Sequence, residues 1–247
     1  MKREMRIAIV NDMSLAVEAL RRVVSSVKDY SIAWIAYDGA EAVNKCAADI
    51  PDLILMDLLM PVMDGVEATR QIMRNSPCAI LVVTATVSGN AAKVFDAMGY
   101  GALDAVNTPV LGAGGGFDGA THLLSKIEMI AKLIGKHSWK KSKPAPVVTL
   151  QILNRHRLIA IAASTGGPLV IGRILRSLPP EFTAPIVIVQ HVDVEFAPGL
   201  ADWLSAETSI PVRLIQAEDR PEDHRVLLAA TNEHLILSSS GSLLYTE

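Results

Sequence analysis

Leu158-Ile159-Ala160-Ile161-Ala162-Ala163 runs directly into Ser164-Thr165-Gly166-Gly167-Pro168. Six apolar residues closed by turn residues read as a central strand buried on both faces of a parallel sheet, and Leu169 to Leu178 reads as the helix after it. A serine is thus expected where strand gives way to helix, with glycines allowing a tight turn and backbone amides facing a developing oxyanion. The same residues also spell ordinary helix capping, with Pro168 at the helix start, so Ser164 alone is a weak signal. The next strand strengthens it. Pro185-Ile186-Val187-Ile188-Val189-Gln190 ends on His191, and the carboxyl ends of neighbouring parallel strands share one sheet edge, where ligands bind in open α/β folds. A base and a hydroxyl are therefore expected within reach of each other, against the commoner case of a strand-end histidine with a purely structural role.

Length and composition set the frame. A chain of 247 residues corresponds to two domains at roughly 100–200 residues each. Half of it is hydrophobic but only 4% aromatic, which favours aliphatic α/β layers and argues against base-stacking platforms. A net charge of −3 gives no basic footprint for nucleic acid. The two cysteines, Cys46 and Cys78, have no metal-ligand spacing, and their scarcity suits a reducing cytosol. No apolar leader opens the sequence and no run is long enough to span a bilayer, so a soluble, cytoplasmic protein without membrane insertion is expected.

From the start of the chain, strand and helix alternate. Arg6 to Val10 is an apolar strand closing on Asn11-Asp12, and Ser14 is placed to cap the helix after it. Ile32 to Ala36 is a strand, Gly39 to Ala48 a helix, and Leu53 to Met56 a buried strand that delivers Asp57 to the sheet edge. A helix from Asp64-Gly65 to Arg74, a strand from Ala79 ending at Thr84, a helix from Ala91 to Met98, a strand from Leu103 to Val106 and a helix from Thr121 to Ile134 complete five repeats. This is the pattern of a doubly wound parallel sheet. Asp12 and Asp57 end two of its strands, and carboxylates with a nearby carbonyl suit Mg²⁺, which would let one carboxylate accept a phosphoryl group. Thr84 ends the neighbouring strand, where its hydroxyl could bind that phosphate. A single loop carboxylate is usually just solvated; the apolar run before Asp57 is what singles it out.

Between Pro109 and Thr121, Gly114, Gly116 and Gly119 match a GxGxxG pattern. It follows a last strand rather than opening a first βαβ unit, and no acidic residue lies where a ribose would need it, so it reads as a flexible loop. Residues 136–156 are polar, basic and proline-bearing, the composition of a linker. Beyond the Ser164 and His191 strands, a helix is expected from Pro198 to Ala206, strands at Val212 to Ala217 and Val226 to Ala230, and a hairpin pairing His234–Leu237 with Leu243–Tyr245.

Asn11-Asp12, the stretch from Met56-Asp57 through Pro61 to Asp64-Gly65, Thr84-Ala85 and Ala97-Met98-Gly99-Tyr100-Gly101-Ala102 resemble a response-regulator receiver domain of flavodoxin-like fold over residues 5–135. The resemblance implies that a histidine kinase phosphorylates Asp57, that Asp12, Asp57 and the carbonyl of Leu59 hold Mg²⁺, and that Thr84 is the switch residue. Two departures stand out. Receivers usually have an acidic pair where this chain has Asn11-Asp12, and a lysine where it has Thr108. Threonine offers a phosphoryl group only a neutral hydrogen bond, so weaker coupling of phosphorylation to shape is expected.

Receiver, linker and the Ala162–Pro168 and Val189–Val192 motifs in that order are similar to the CheB-type protein-glutamate methylesterases of chemotaxis, leaning towards the Wsp-like surface-sensing branch. On that resemblance, residues 157–247 are a parallel-sheet α/β methylesterase domain that hydrolyses glutamate methyl esters, and deamidates glutamines, on methyl-accepting chemoreceptors, with no cofactor of its own. Ser164 would be the nucleophile, His191 the general base, and the turn Thr165-Gly166-Gly167 part of the oxyanion hole. The unphosphorylated receiver would cover this site. Family members also continue for roughly another hundred residues, an ordinary share of one α/β domain, and carry a third catalytic residue, an aspartate, there. The esterase domain is accordingly expected to be truncated, with an exposed sheet edge, and loss of an orienting carboxylate costs about 10⁴ in turnover. A catalytically impaired receptor-binding adaptor is the alternative. A DNA-binding output ranks well below both, because no helix-turn-helix with a basic face follows residue 136.

Overall fold

The computed structural model describes residues 4–85, 90–111, 117–135, 157–192, 194–231 and 233–246. The stretch expected to link the domains, 136–156, and the glycines of the 112–116 loop lie outside them. In the N-terminal half, β1 (Met5–Val10), β2 (Tyr30–Ala36), β3 (Leu53–Met56), β4 (Ala79–Thr84) and β5 (Asp104–Asn107) form one parallel sheet in the order β2-β1-β3-β4-β5. Alternation along the strands builds two cores. Val10, Ile54, Met56, Ile80 and Val82 face α2 (Gly39–Ala48), α3 (Gly65–Asn75) and α4 (Ala91–Tyr100), while Ile7, Ile9, Leu53, Leu55, Leu81 and Val83 face α1 (Ser14–Ser25) and α5 (Ala120–Gly135). The expected doubly wound sheet is therefore present.

Two details differ from expectation. Ser14 is the first residue of α1 rather than its cap, and Met13 at the N-cap makes no side-chain bond to the helix; instead Asn11 Oδ1 accepts from Met13 N at 2.8 Å. The ends of the glycine-rich loop also pair, Val110–Leu111 (β6) with Phe117–Asp118 (β7), as a short antiparallel ribbon.

The C-terminal half has its own parallel sheet, β10-β11-β9-β8, made of β8 (Ile159–Ala163), β9 (Ile186–Gln190), β10 (Val212–Leu214) and β11 (Val226–Leu228). The helices α6 (Gly167–Ser177) and α7 (Ala197–Glu207) cover one face, and a hairpin of β12 (His234–Leu237) and β13 (Leu243–Thr246) brings Leu235, Leu243 and Tyr245 onto Val187 and Leu227 on the other. The strand before Ser164 corrects the sequence reading. Among the described residues β8 pairs only with β9, so it is an edge strand rather than a central one, and Ile159 keeps 38% of its surface exposed. An unbroken apolar run identifies the strand, but the number of its neighbours depends on distant residues.

The two halves share a core. Phe95, Ala97 and Met98 of α4 belong to the same buried cluster as Ile171 and Leu175 of α6 and Leu200 and Leu204 of α7. The Phe95 and Trp203 rings lie 6.3 Å apart at this junction.

Candidate active site

Two strand ends assemble the nucleophile and its base. Ser164 follows β8, His191 follows β9, and the ladder between them is extended by His191 N donating to the Ala163 carbonyl at 2.9 Å. This places Ser164 Oγ 3.4 Å from His191 Nδ1, with both residues exposed. The pair expected from sequence is brought together, at the long end of hydrogen bonding and beyond the ~2.6–3.2 Å over which a base takes a proton. Among the described residues, no carboxylate bonds the His191 ring.

Sequence reading missed Gln190. Its Nε2 donates to the Ser164 carbonyl at 2.9 Å and to the His191 carbonyl at 3.1 Å, so one buried side chain ties together the backbones of both candidate catalytic residues. Its Oε1 is buried without a partner among the described residues. A methyl group at Gly167 would come within 1.9 Å of that oxygen, so a glycine there is a packing requirement as well as a turn signal. An amide closing an otherwise aliphatic strand was the available clue.

The turn after Ser164 is held by the N-terminal half. Gly166 N donates to the Leu103 carbonyl at 2.7 Å, just before β5, and Gly167 N donates to the Ser164 carbonyl at 2.7 Å. Thr165 Oγ1 lies 2.9 Å from Met129 Sδ and 3.3 Å from Asp104 Oδ2. Asp104 is in turn paired with the largely buried Lys126 at 2.8 Å. Two amides of the expected oxyanion turn are thus already occupied, one of them by a carbonyl of the other half.

At the edge of the first sheet, Asp57 is 93% buried, its relative exposure being 7%. Asn11 Nδ2 donates to Oδ2 at 3.0 Å and Leu58 N to Oδ1 at 2.7 Å. Burial pushes the Asp57 carboxyl above its ordinary range; the Leu58 and Leu59 amides and the Thr84 hydroxyl pull it down in part, and the Asp12 charge pushes it further up. A methyl group at Gly65 would meet the Asp57 carbonyl oxygen at 1.9 Å, which explains the glycine after Asp64. Asp12, Asp57 and the Leu59 carbonyl would supply an all-oxygen donor set. The unneutralised Asp57 charge fits a hard cation. No cluster of three or more acidic, histidine or cysteine ligands occurs among the described residues, so any such ion would rest on two carboxylates, carbonyl oxygen and water. Thr108 and Asp57 line one cavity of about 480 Å³ with Met13, Ala16, Arg22 and Pro109, and the hydrogen bonds to Asp57 come from neutral donors.

Comparison with known proteins bears on the family of each half. The family profile "CheB methylesterase" matches residues 159–246, and "Response regulator receiver domain" matches residues 7–111. A protein-glutamate methylesterase/protein-glutamine glutaminase of Pseudomonas aeruginosa is 53% identical over 242 residues, covering 98% of this chain and 72% of that protein. The chain belongs to the protein-glutamate methylesterase/protein-glutamine glutaminase family. Another member, from Cupriavidus metallidurans, is 52% identical over 98% of this chain and 71% of its own length. Among solved structures, the response regulator domain of Thermotoga maritima CheB aligns with 30% identity and a TM-score of 0.47 over 53% of this chain and 98% of that one. The methylesterase catalytic domain of Thermotoga maritima CheB aligns with 30% identity and a TM-score of 0.34 over 37% and 49%. In this member of the methylesterase/glutaminase family, the receiver match carries Asp57 and the methylesterase match carries Ser164 and His191. No helix among the described residues is long and apolar enough to cross a membrane.

Proposed function

We propose that this chain is a phosphorylation-gated esterase acting in the cytoplasm on methylated glutamates, and on glutamines, of methyl-accepting chemoreceptors. The observation that carries the proposal is the placing of Ser164 Oγ and His191 Nδ1 on adjacent strand ends, 3.4 Å apart, next to a turn bound to the receiver. In the reaction, His191 takes the Ser164 proton as Oγ attacks the ester carbonyl. The proton passes to the leaving methoxide, methanol departs, and water activated by His191 hydrolyses the glutamyl-serine ester. With a glutamine substrate, ammonia leaves instead. Gln190 positions both residues through their carbonyls.

Asp57 is the proposed acceptor of a phosphoryl group from a histidine kinase. Asp12, Asp57 and the Leu59 carbonyl would hold Mg²⁺, whose charge offsets the clustered negative charge there. Thr84 and Thr108 would then bind the phosphoryl oxygens. Thr84 ends β4, which leads towards α4, and Thr108 follows β5, whose approach holds Gly166 and Thr165. A shift at these carboxyl ends would have to travel along β5 to its amino start, where Leu103 and Asp104 contact the esterase turn.

Methanol release from methylated receptor, with and without a small phosphodonor and Mg²⁺, tests the proposal. Release that rises with phosphodonor and falls about 10³-fold or more in Ser164→Ala is expected. Release equal in the two proteins removes Ser164 from the chemistry. One observation favours a second reading, the receptor-binding adaptor: among the described residues, the His191 ring has no carboxylate to orient it. Receptor binding without release by the folded chain would support the adaptor. Recovery of release after fusion to the part of the Pseudomonas aeruginosa relative that this chain does not span would return the reading to an esterase.

A further inference from the structure

The two cysteines have no part in either site, yet they meet. They are separated by 32 positions in sequence, and their sulfurs are 4.0 Å apart. Cys46, on the inner face of α2, is fully buried, and its Sγ also points to the Ser76 carbonyl at 3.6 Å. Cys78 lies in the turn into β4 and is only partly buried, so it is the less enclosed residue of the pair. A disulfide has an S–S distance of about 2.05 Å, so closure requires about 2 Å of approach, within the scale of a side-chain rotation. The pair lies at the amino end of β4, across the sheet from Thr84 at its carboxyl end, and the chain between the two sulfurs contains Asp57.

We propose that Cys46 and Cys78 are a redox modification site, at which a low-molecular-weight disulfide such as oxidised glutathione converts the two thiols into an intramolecular disulfide. In the first step the Cys78 sulfur, the less enclosed of the two, attacks the small disulfide. The small S–S bond breaks, a mixed disulfide forms on Cys78, and one small thiol leaves with the Cys78 proton. In the second step Cys46 attacks the Cys78 sulfur, the mixed S–S bond breaks, the protein disulfide forms, and a second small thiol leaves with the Cys46 proton. Two protein thiols are oxidised and one small disulfide is reduced. The neighbouring Cys46 thiol, and then burial, push Cys78 above the ordinary thiol range, so capping is slow and calls for prolonged incubation; the same contact with Cys78 lowers Cys46, which favours its attack in the second step.

The test is intact mass and thiol alkylation of the full chain after incubation with excess oxidised glutathione. The native protein is expected to lose two hydrogens, carry no glutathione and resist alkylation after denaturation, with full reversal by dithiothreitol. Cys46→Ser is expected to keep one glutathione on Cys78, because no second thiol displaces it, and Cys78→Ser to remain unmodified, because Cys46 is inaccessible. The oxidised native chain should melt several degrees higher than the reduced one, since the cross-link closes a long loop of the unfolded chain. Glutathione retained on the native protein, or two freely alkylated thiols, overturns the proposal; neither outcome depends on the variants folding.

Discussion

The two parallel sheets begin from similar sequence and end in different environments. Leu53 to Met56 is an unbroken apolar run, and all four residues of β3 have no exposed surface, because β1 and β4 flank the strand and helices cover both faces. Ile159 to Ala163 is also unbroken and apolar, yet β8 has β9 as its one partner and Val189 beside it is 42% exposed. The difference teaches that the acceptor Asp57 stands on a strand fixed from all sides, whereas Ser164 stands on one fixed from fewer. The turn that bears the nucleophile is correspondingly braced from outside its own sheet, through Leu103, Asp104 and Met129.

The largest expected effect tests that contrast. Leu55→Ala removes a side chain enclosed on every side and should destabilise the receiver by about 2–5 kcal/mol in urea unfolding. Ile159→Ala, at a site already 38% exposed, should cost well under half as much. Equal losses would mean that β8 is as firmly held as β3.

How much of this was legible follows the same division. Asp57 was readable because a local signal, four buried residues and then a charge, coincides with its surroundings. Ser164 and His191 were readable because parallel neighbours bring strand ends together whether the strand is central or at the edge. The edge position of β8 was not readable, since it depends on which distant strands pair. Nor was the engagement of Gly166 by Leu103, a contact between halves that no periodicity encodes. Gln190 lay between the two: an amide at the end of an aliphatic strand was visible, but its bonds to two carbonyls are a matter of geometry.

A second effect sharpens the contrast through charge. Asp57 is buried and lifted above the ordinary carboxylate value of 3.8, whereas Ser164 and His191 are exposed. Between 3.8 and its raised value, the folded chain retains a proton on Asp57 that the unfolded chain has released. Stability contributed by this residue therefore falls as pH rises through the raised value, and the penalty is complete above it. Asp57→Asn removes the buried charge and with it the penalty, and should raise stability at neutral pH by about 1 kcal/mol. That advantage should fade below the ordinary carboxylate range, where Asp57 is protonated in both states. Urea unfolding across pH reads the difference, and a variant less stable than its parent at pH 7 would show that the hydrogen bonds to Asp57 outweigh its burial.

The smallest expected effect concerns the brace itself. The Thr165 hydroxyl has one hydrogen to share between Met129 Sδ and Asp104 Oδ2, and Asp104 keeps Lys126 as a partner if that hydroxyl is removed. Thr165→Val nearly preserves shape and leaves the bond from Gly166 N to the Leu103 carbonyl in place. It therefore weakens the closed arrangement by about one hydrogen bond, ~0.5–1.5 kcal/mol, which corresponds to roughly a 2- to 10-fold rise in basal methanol release without phosphodonor. Release under full phosphorylation should not change, because the brace is then already open. An unchanged basal rate would place the hold on the turn in the Leu103 carbonyl alone, whereas a fall in both rates would mean that the hydroxyl supports the catalytic turn rather than its closure.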